Sequence, residues 1–147
     1  MTLDISPERE ELIRERFIRN NSYPRLLGVE LDSIEPGRAR LMVEVTDRLK
    51  QPQGVMHGGA IASLIDTAVA LAIASTAGPE ARFTTVDMTV TYLSPVLGGR
   101  VFADAKIIRQ GRRIVAAECD VSDAAGKPVA KALLTYIFLN SIKPEVK

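Results

Sequence analysis

The chain has 147 residues, 46% of them hydrophobic and 25% charged, which fits one folded domain of ordinary size and leaves little room for a second. Nineteen Lys and Arg against eighteen Asp and Glu leave a net charge of +1. No global field therefore recruits nucleic acid or an anionic membrane, and an anionic ligand must be met by local residues. The lone cysteine, Cys119, excludes an internal disulfide and a paired-Cys zinc site, so a reducing cytoplasm is the natural setting. The opening Met1 to Ser6 lacks the basic-then-apolar pattern of a secretory signal.

Ser6-Pro7-Glu8 reads as a helix start, and a short helix to about Arg19 presents Leu12, Ile13 and Phe17 on one face. After Asn20-Asn21-Ser22 and Pro24, two strands are expected, Gly28 to Ile34 and Arg38 to Thr46, turning at Pro36-Gly37. A polar loop from Asp47 to Met56 precedes a long helix from His57 to Ala77, which stops before Gly78-Pro79. Its length is near the roughly 20 apolar residues of a membrane span. Its bulk is Gly, Ala and Ser, however, and Asp66 near its middle would cost about 3 kcal/mol in lipid, so a helix buried in a protein core is the better account.

Four more strands follow. Thr84 to Leu93 alternates Val86, Met88, Val90 and Tyr92 against Thr85, Asp87, Thr89 and Thr91; Arg100 to Arg109 and Arg112 to Ser122 face each other across Gln110-Gly111; Val129 to Leu139 ends the series. This order favours an α+β layer, and a helix apolar on every side favours a curved antiparallel sheet wrapped around it. Its alanines would let the strands approach closely. The expectation is a single domain over 1–147, with 1–26 as N-terminal helix and linker and 140–147 as a polar tail.

The chemistry concentrates in the long helix. Asp66 is the only charged side chain between His57 and Pro79, and its helical neighbours Ala62, Ser63, Val69 and Ala70 include no cation. A carboxylate in such surroundings needs a partner from elsewhere in the chain, water, or a use. The bland alternative, a solvent-facing Asp, would bring more polar neighbours than Ser63 and Thr67. At the helix start, His57-Gly58-Gly59 offers backbone N–H groups at the positive end of the dipole, where negative charge developing on a thioester carbonyl is favoured. Glycines chosen only for a tight turn explain that feature equally well. With one histidine, His57, neither a poly-His metal site nor a Ser-His-Asp triad with a second histidine is available. If both are helical, His57 lies roughly 14 Å along the axis before Asp66, so the two act on one atom only if the helix begins later than His57 or two subunits share a site.

At Gly54-Val55-Met56-His57-Gly58-Gly59, Asp66, Val86 to Pro95 and Arg109-Gln110-Gly111-Arg112-Arg113 the sequence resembles the hotdog-fold thioesterase superfamily, in the branch of the phenylacetate-degradation thioesterases and thioesterase superfamily member 2. The resemblance covers about Gly28 to Leu139. It implies an acyl-CoA thioesterase that hydrolyses acyl- or aryl-CoA without metal or cofactor. It further implies a homodimer as the active unit, usually paired into a homotetramer, with sites straddling the dimer interface. On this pattern Gly58 donates the oxyanion N–H, Asp66 of the other subunit is base or nucleophile, Thr85 orients the water, and His57 belongs to the motif. Arg109, Gly111, Arg112 and Arg113 meet the coenzyme A phosphates, although a charged hairpin tip is also an ordinary solvated feature. The loop position that is commonly Asn is here Gln51, one methylene longer, with Gln53 as a second candidate. Cys119, beside Ala117 and Val121 on a strand, reads as a small buried residue. A non-catalytic acyl-CoA-binding or regulatory hotdog protein is the competing reading, and a hydratase, whose Asp-then-His spacing is missing, is the weaker one.

Overall fold

Ser6 starts the first helix as its sequence context predicts: its hydroxyl accepts the Arg9 N–H at 3.2 Å, and α1 runs Pro7–Arg14 with Pro7 at its first position. The computed structural model describes residues 4–139; the proposed tail at 140–147 lies outside the described residues. A wide π-helical turn, Glu15–Arg19, extends α1 to the expected end. The segment expected to be a linker then contains a second helix, α2, Ser22–Leu27. Six residues are too few to show a helical period, and Pro24 reads as a breaker in sequence although a first-turn proline sacrifices no helical hydrogen bond.

Because α2 closes at Gly28, β1 starts two residues later than expected, at Glu30–Glu35, and pairs with β2, Arg38–Glu44. Pro36-Gly37 forms the turn between them, with Gly37 at φ 77°, the left-handed conformation that a Pro-Gly type II turn requires. The loop to Met56 is more ordered than its polarity implies: a 3-10 turn spans Asp47–Leu49, and Leu49 and Met56 are buried. Helix α3 is Gly58–Ala77. Strands β3 Phe83–Tyr92, β4 Arg100–Gln110, β5 Ile114–Asp123 and β6 Pro128–Phe138 complete the chain.

Together the strands form a six-stranded antiparallel sheet in the order β1-β2-β4-β5-β6-β3, so β3 follows α3 in sequence yet occupies the far edge. Alternate residues such as Leu41, Val43, Val101, Val115 and Val121 face Leu64, Ile65, Val69, Leu71 and Ile73 of α3 in one core. Each such side chain contributes about 1.5–3 kcal/mol on burial. Cys119 is fully buried in this core, and burial, followed by the charges of Asp104 and Asp120, pushes its thiol pKa upward. Gly58–Ala77 is long and apolar enough to cross a membrane by length and composition, but it is the core helix of this sheet. The far end of α3 is pinned: Ser75 Oγ accepts the Gly37 N–H at 2.8 Å, and Arg9 of α1 donates to the Thr76 carbonyl at 3.0 Å.

Two expectations about strands change. The β4–β5 tip is Gly111 to Arg113 rather than the pair Gln110-Gly111, because Ile108 is bulged and shifts the pairing so that Gln110 faces Val115. On β3 the strict alternation breaks at Val86, which is bulged and 55% exposed, so Thr85 faces α3 together with Met88 and Val90 instead of joining the outward row of Asp87, Thr89 and Thr91.

Candidate functional site

Halfway along α3, the half-buried Asp66 carboxylate meets two hydroxyls from the sheet. Thr85 Oγ1 donates to its Oδ1 at 2.8 Å, which the bulge at Val86 makes possible. The Tyr136 hydroxyl, from β6, lies 2.5 Å from the same Oδ1 and 2.7 Å from the Asp66 main-chain carbonyl. Among the described residues, no cation pairs with Asp66 and Oδ2 has no protein partner. Of the partner, water or use that so isolated an acid requires, the fold supplies partners from elsewhere in the chain, neutral hydroxyls that hold the carboxylate without cancelling its charge.

Sequence reasoning missed Tyr136. The available signal was its place at the end of the inward row Ala130, Ala132, Leu134, Tyr136, since a phenol on a buried strand face needs an acceptor. Tyr136 is 3% exposed, and burial first, then the Asp66 charge, raises its pKa and keeps it a donor. Its ring meets Phe83 edge-on at 5.9 Å, and Phe83 stacks on Phe17 at 5.8 Å. A cleft of about 280 Å³ opens here, lined by Asp66, Thr85 and Tyr136 and walled by Phe17, Tyr23 and Phe83. The missed α2 thus contributes to the site, with Tyr23 also hydrogen-bonded to Ser63 at 2.7 Å.

The start of α3 is a separate place. His57 is its N-cap, and its Nδ1 accepts the Gly59 N–H at 2.8 Å. Ala60 and Ile61 donate to the His57 carbonyl, so among the described residues the Gly58 N–H is the donor in this first turn left without a partner. This narrows the expected set of free N–H groups to one. The Tyr92 hydroxyl donates to the Gly58 carbonyl at 2.8 Å, and a Cβ on Gly58 would lie 3.2 Å from the Tyr92 ring. Tyr92 also went unforeseen as a site residue. A second hollow, about 310 Å³, is lined by Gly58, Met56, Ile61, Tyr92 and Pro95.

Gly58 and Asp66 are eight residues apart on one helix, about 12 Å along its axis, so one chain does not bring them to one atom. Gln51 lines neither hollow; its Oε1 accepts the Gln53 N–H at 2.7 Å, which makes Gln53 the residue that orients Gln51. Arg109, Arg112 and Arg113 are exposed and form no salt bridge among the described residues. Their hairpin approaches the opposite end of α3, where Thr76 donates to the Gln110 side chain at 2.6 Å. Another hollow, about 430 Å³, is on the outer face of the sheet and shares no lining residue with the hollows at Asp66 and Gly58. Within it Arg40 lies between Asp32 and Asp104 at 3.2 and 3.5 Å and over the Phe102 ring.

Residues 53–130 match the thioesterase superfamily. The medium/long-chain acyl-CoA thioesterase YigI of Escherichia coli K12 is 28% identical over 142 residues, covering 86% of this chain and 92% of that protein. A conserved protein of Pseudomonas aeruginosa superposes with a TM-score of 0.82 at 32% identity, covering 86% of this chain and 98% of that one. The PaaI protein from the phenylacetic acid degradation operon of E. coli shares the fold with a TM-score of 0.83 at 23% identity, over 92% of this chain and 96% of its own. The sheet that wraps α3 is therefore the hotdog fold expected from the sequence, and the chain belongs to the thioesterase superfamily.

Proposed function

We propose that the chain is an acyl-CoA thioesterase in which Asp66 directs water onto the thioester carbonyl while the Gly58 N–H of a second copy receives the oxyanion. The observation that carries this reading is the asymmetric Asp66 carboxylate: Oδ1 holds two hydroxyl donors, and Oδ2 has no partner among the described residues. Water oxygen bonds to the carbonyl carbon as its proton passes to Oδ2. The oxyanion then collapses, the carbon–sulfur bond breaks, and the departing thiolate takes that proton, giving free acid and coenzyme A.

A homodimer is the minimal active unit in this reading, supported by the 12 Å axial separation of about eight helical residues and by β3, whose outer edge has no neighbouring strand. Tyr92 lies on that same strand and holds the Gly58 peptide, so an antiparallel join along β3 would bring a second copy beside the oxyanion donor. Pairing of dimers into a tetramer follows the family resemblance. Arg109, Arg112 and Arg113, exposed without carboxylate partners among the described residues, with Gly111 shaping their turn, are the proposed coenzyme A phosphate contacts; His57 caps the oxyanion helix, and Gln51 presents its amide from the loop before it. The lone buried cysteine is consistent with a cytoplasmic enzyme.

The test is thiol release from medium-chain, long-chain and aryl-CoAs by wild type and by Asp66→Asn, with mass measured in solution. Turnover by wild type, lost in Asp66→Asn with binding retained, supports the reading and names the acyl class. Binding without thiol release across the panel overturns it in favour of an acyl-CoA-binding protein. A catalytically active monomer overturns the shared site.

A further inference from the structure

We infer that Tyr136 is a positioning residue for Asp66, bridging the main chain and side chain of that one residue so that only Oδ2 is presented to the attacking water. The inference rests on the reading of Asp66 as the group that directs water.

Tyr136 could satisfy its buried hydroxyl with the Asp66 main-chain carbonyl alone, 2.7 Å away. Instead the same hydroxyl is also 2.5 Å from Oδ1. Its single proton is shared between two acceptors of one residue, so the carboxylate cannot rotate about its Cα–Cβ bond without losing this contact. Thr85 donates to the same Oδ1 from the opposite sheet strand, and two donors on one oxygen leave the carboxylate chemically divided: one oxygen held, one free. Oδ2 reaches solvent and forms no hydrogen bond among the described residues.

The phenol is braced by the sheet and by neighbouring rings. Tyr136 pairs with Thr85 across β6 and β3, so both donors sit in one register row, and the Tyr136 ring is braced by Phe83, itself stacked on Phe17. A Tyr held only for packing would need neither this row nor a contact to the side chain of the residue whose backbone it already reaches. Holding a reacting group in its productive rotamer matters because a displacement of about 1 Å can cost on the order of 10² in rate.

The experiment is Tyr136→Phe, which keeps the ring and its contact with Phe83, assayed for kcat, KM and melting temperature in wild type and in an Asp66→Asn background. The expected result is a kcat lower by about tenfold to a hundredfold, the scale of a lost hydrogen bond to a charged group, with KM held within about twofold. In the Asp66→Asn background the same change should add little, because the group being positioned is gone. An unchanged kcat in Tyr136→Phe, while Asp66→Asn lowers turnover by about 10²–10⁴, overturns the positioning role and leaves the role of Asp66 standing. An equal loss in both backgrounds overturns it too, since Tyr136 then acts independently of Asp66. Full turnover by Asp66→Asn overturns the underlying reading and this inference with it. If Tyr136→Phe folds poorly, site-specific 3-fluorotyrosine at 136 retains the hydroxyl and sharpens its donor strength: a kcat that moves in wild type and not in Asp66→Asn supports the role, and one that moves in neither overturns it.

Discussion

The start of α3 and its middle are two halves of one chemical task, built in opposite ways. At the start, His57, Gly58 and Gly59 are consecutive, and the histidine ring, the cap and the free N–H are arranged within one turn. At the middle, Asp66 is held by residues 19 and 70 positions away in sequence, Thr85 and Tyr136. The backbone donor needs almost no help because a helix N-terminus presents N–H groups by construction. A carboxylate side chain has rotational freedom and a desolvation cost, so the sheet must supply the contacts that fix and solvate it.

The comparison can be broken first at its non-local half. Asp66→Asn removes the charge while leaving an amide that Thr85 and Tyr136 can still contact, and should lower kcat by about 10²–10⁴, read by thiol release with dimer mass unchanged. The local half should break more gently. Gly58→Ala places a methyl 3.2 Å from the exposed Tyr92 ring, which must give by a few tenths of an ångström; kcat should fall about tenfold to a hundredfold with little loss of melting temperature. Gly59→Ala sharpens that test. Its Cβ would meet His57 Nδ1 at 2.9 Å, so it should cost cap stability of about 1 kcal/mol as well as rate, visible in a denaturant melt.

The basic hairpin belongs to neither half, and its expected effect is smaller. Arg112→Ala with Arg113→Ala should raise KM by several-fold and leave kcat, with the difference shrinking at high salt, because exposed charges are screened beyond about 10 Å at 0.1 M ionic strength. The scaffold under both halves responds to pH through Cys119, with no change expected in the rate at neutral pH. Cys119 is buried and its thiol pKa is raised on folding, so its contribution is fully present below the unfolded thiol value of about 8.5 and is lost as pH climbs from there toward the folded value. Melting temperature should therefore fall more steeply between pH 8 and 10 in wild type than in Cys119→Ala, by the equivalent of about 2 kcal/mol at pH 10.

Much of this was readable from residues alone where the deciding interactions are local. The cap at Ser6, the Pro36-Gly37 turn, the limits of α3 within one residue, and the isolation of Asp66 among apolar neighbours all follow from short-range chemistry. Helix α2 was hidden because six residues around a proline carry no period, yet it places Tyr23 on the wall of the Asp66 cleft. The hairpin tip was misplaced by one position because a bulge leaves no mark in the alternation of Arg100 to Gln110.

The α+β order, the apolar core helix, the single acid within it and the glycines before it are legible from residues alone, since composition and spacing within one element suffice for these. Only the tertiary structure decided that β3 lies at the far edge of the sheet, that the Val86 bulge turns Thr85 inward, and that Tyr136 reaches the same carboxylate oxygen. The physical reason is that these depend on strand register and the order of strands across the sheet, which are fixed by packing between distant segments and not by the preferences of any one of them.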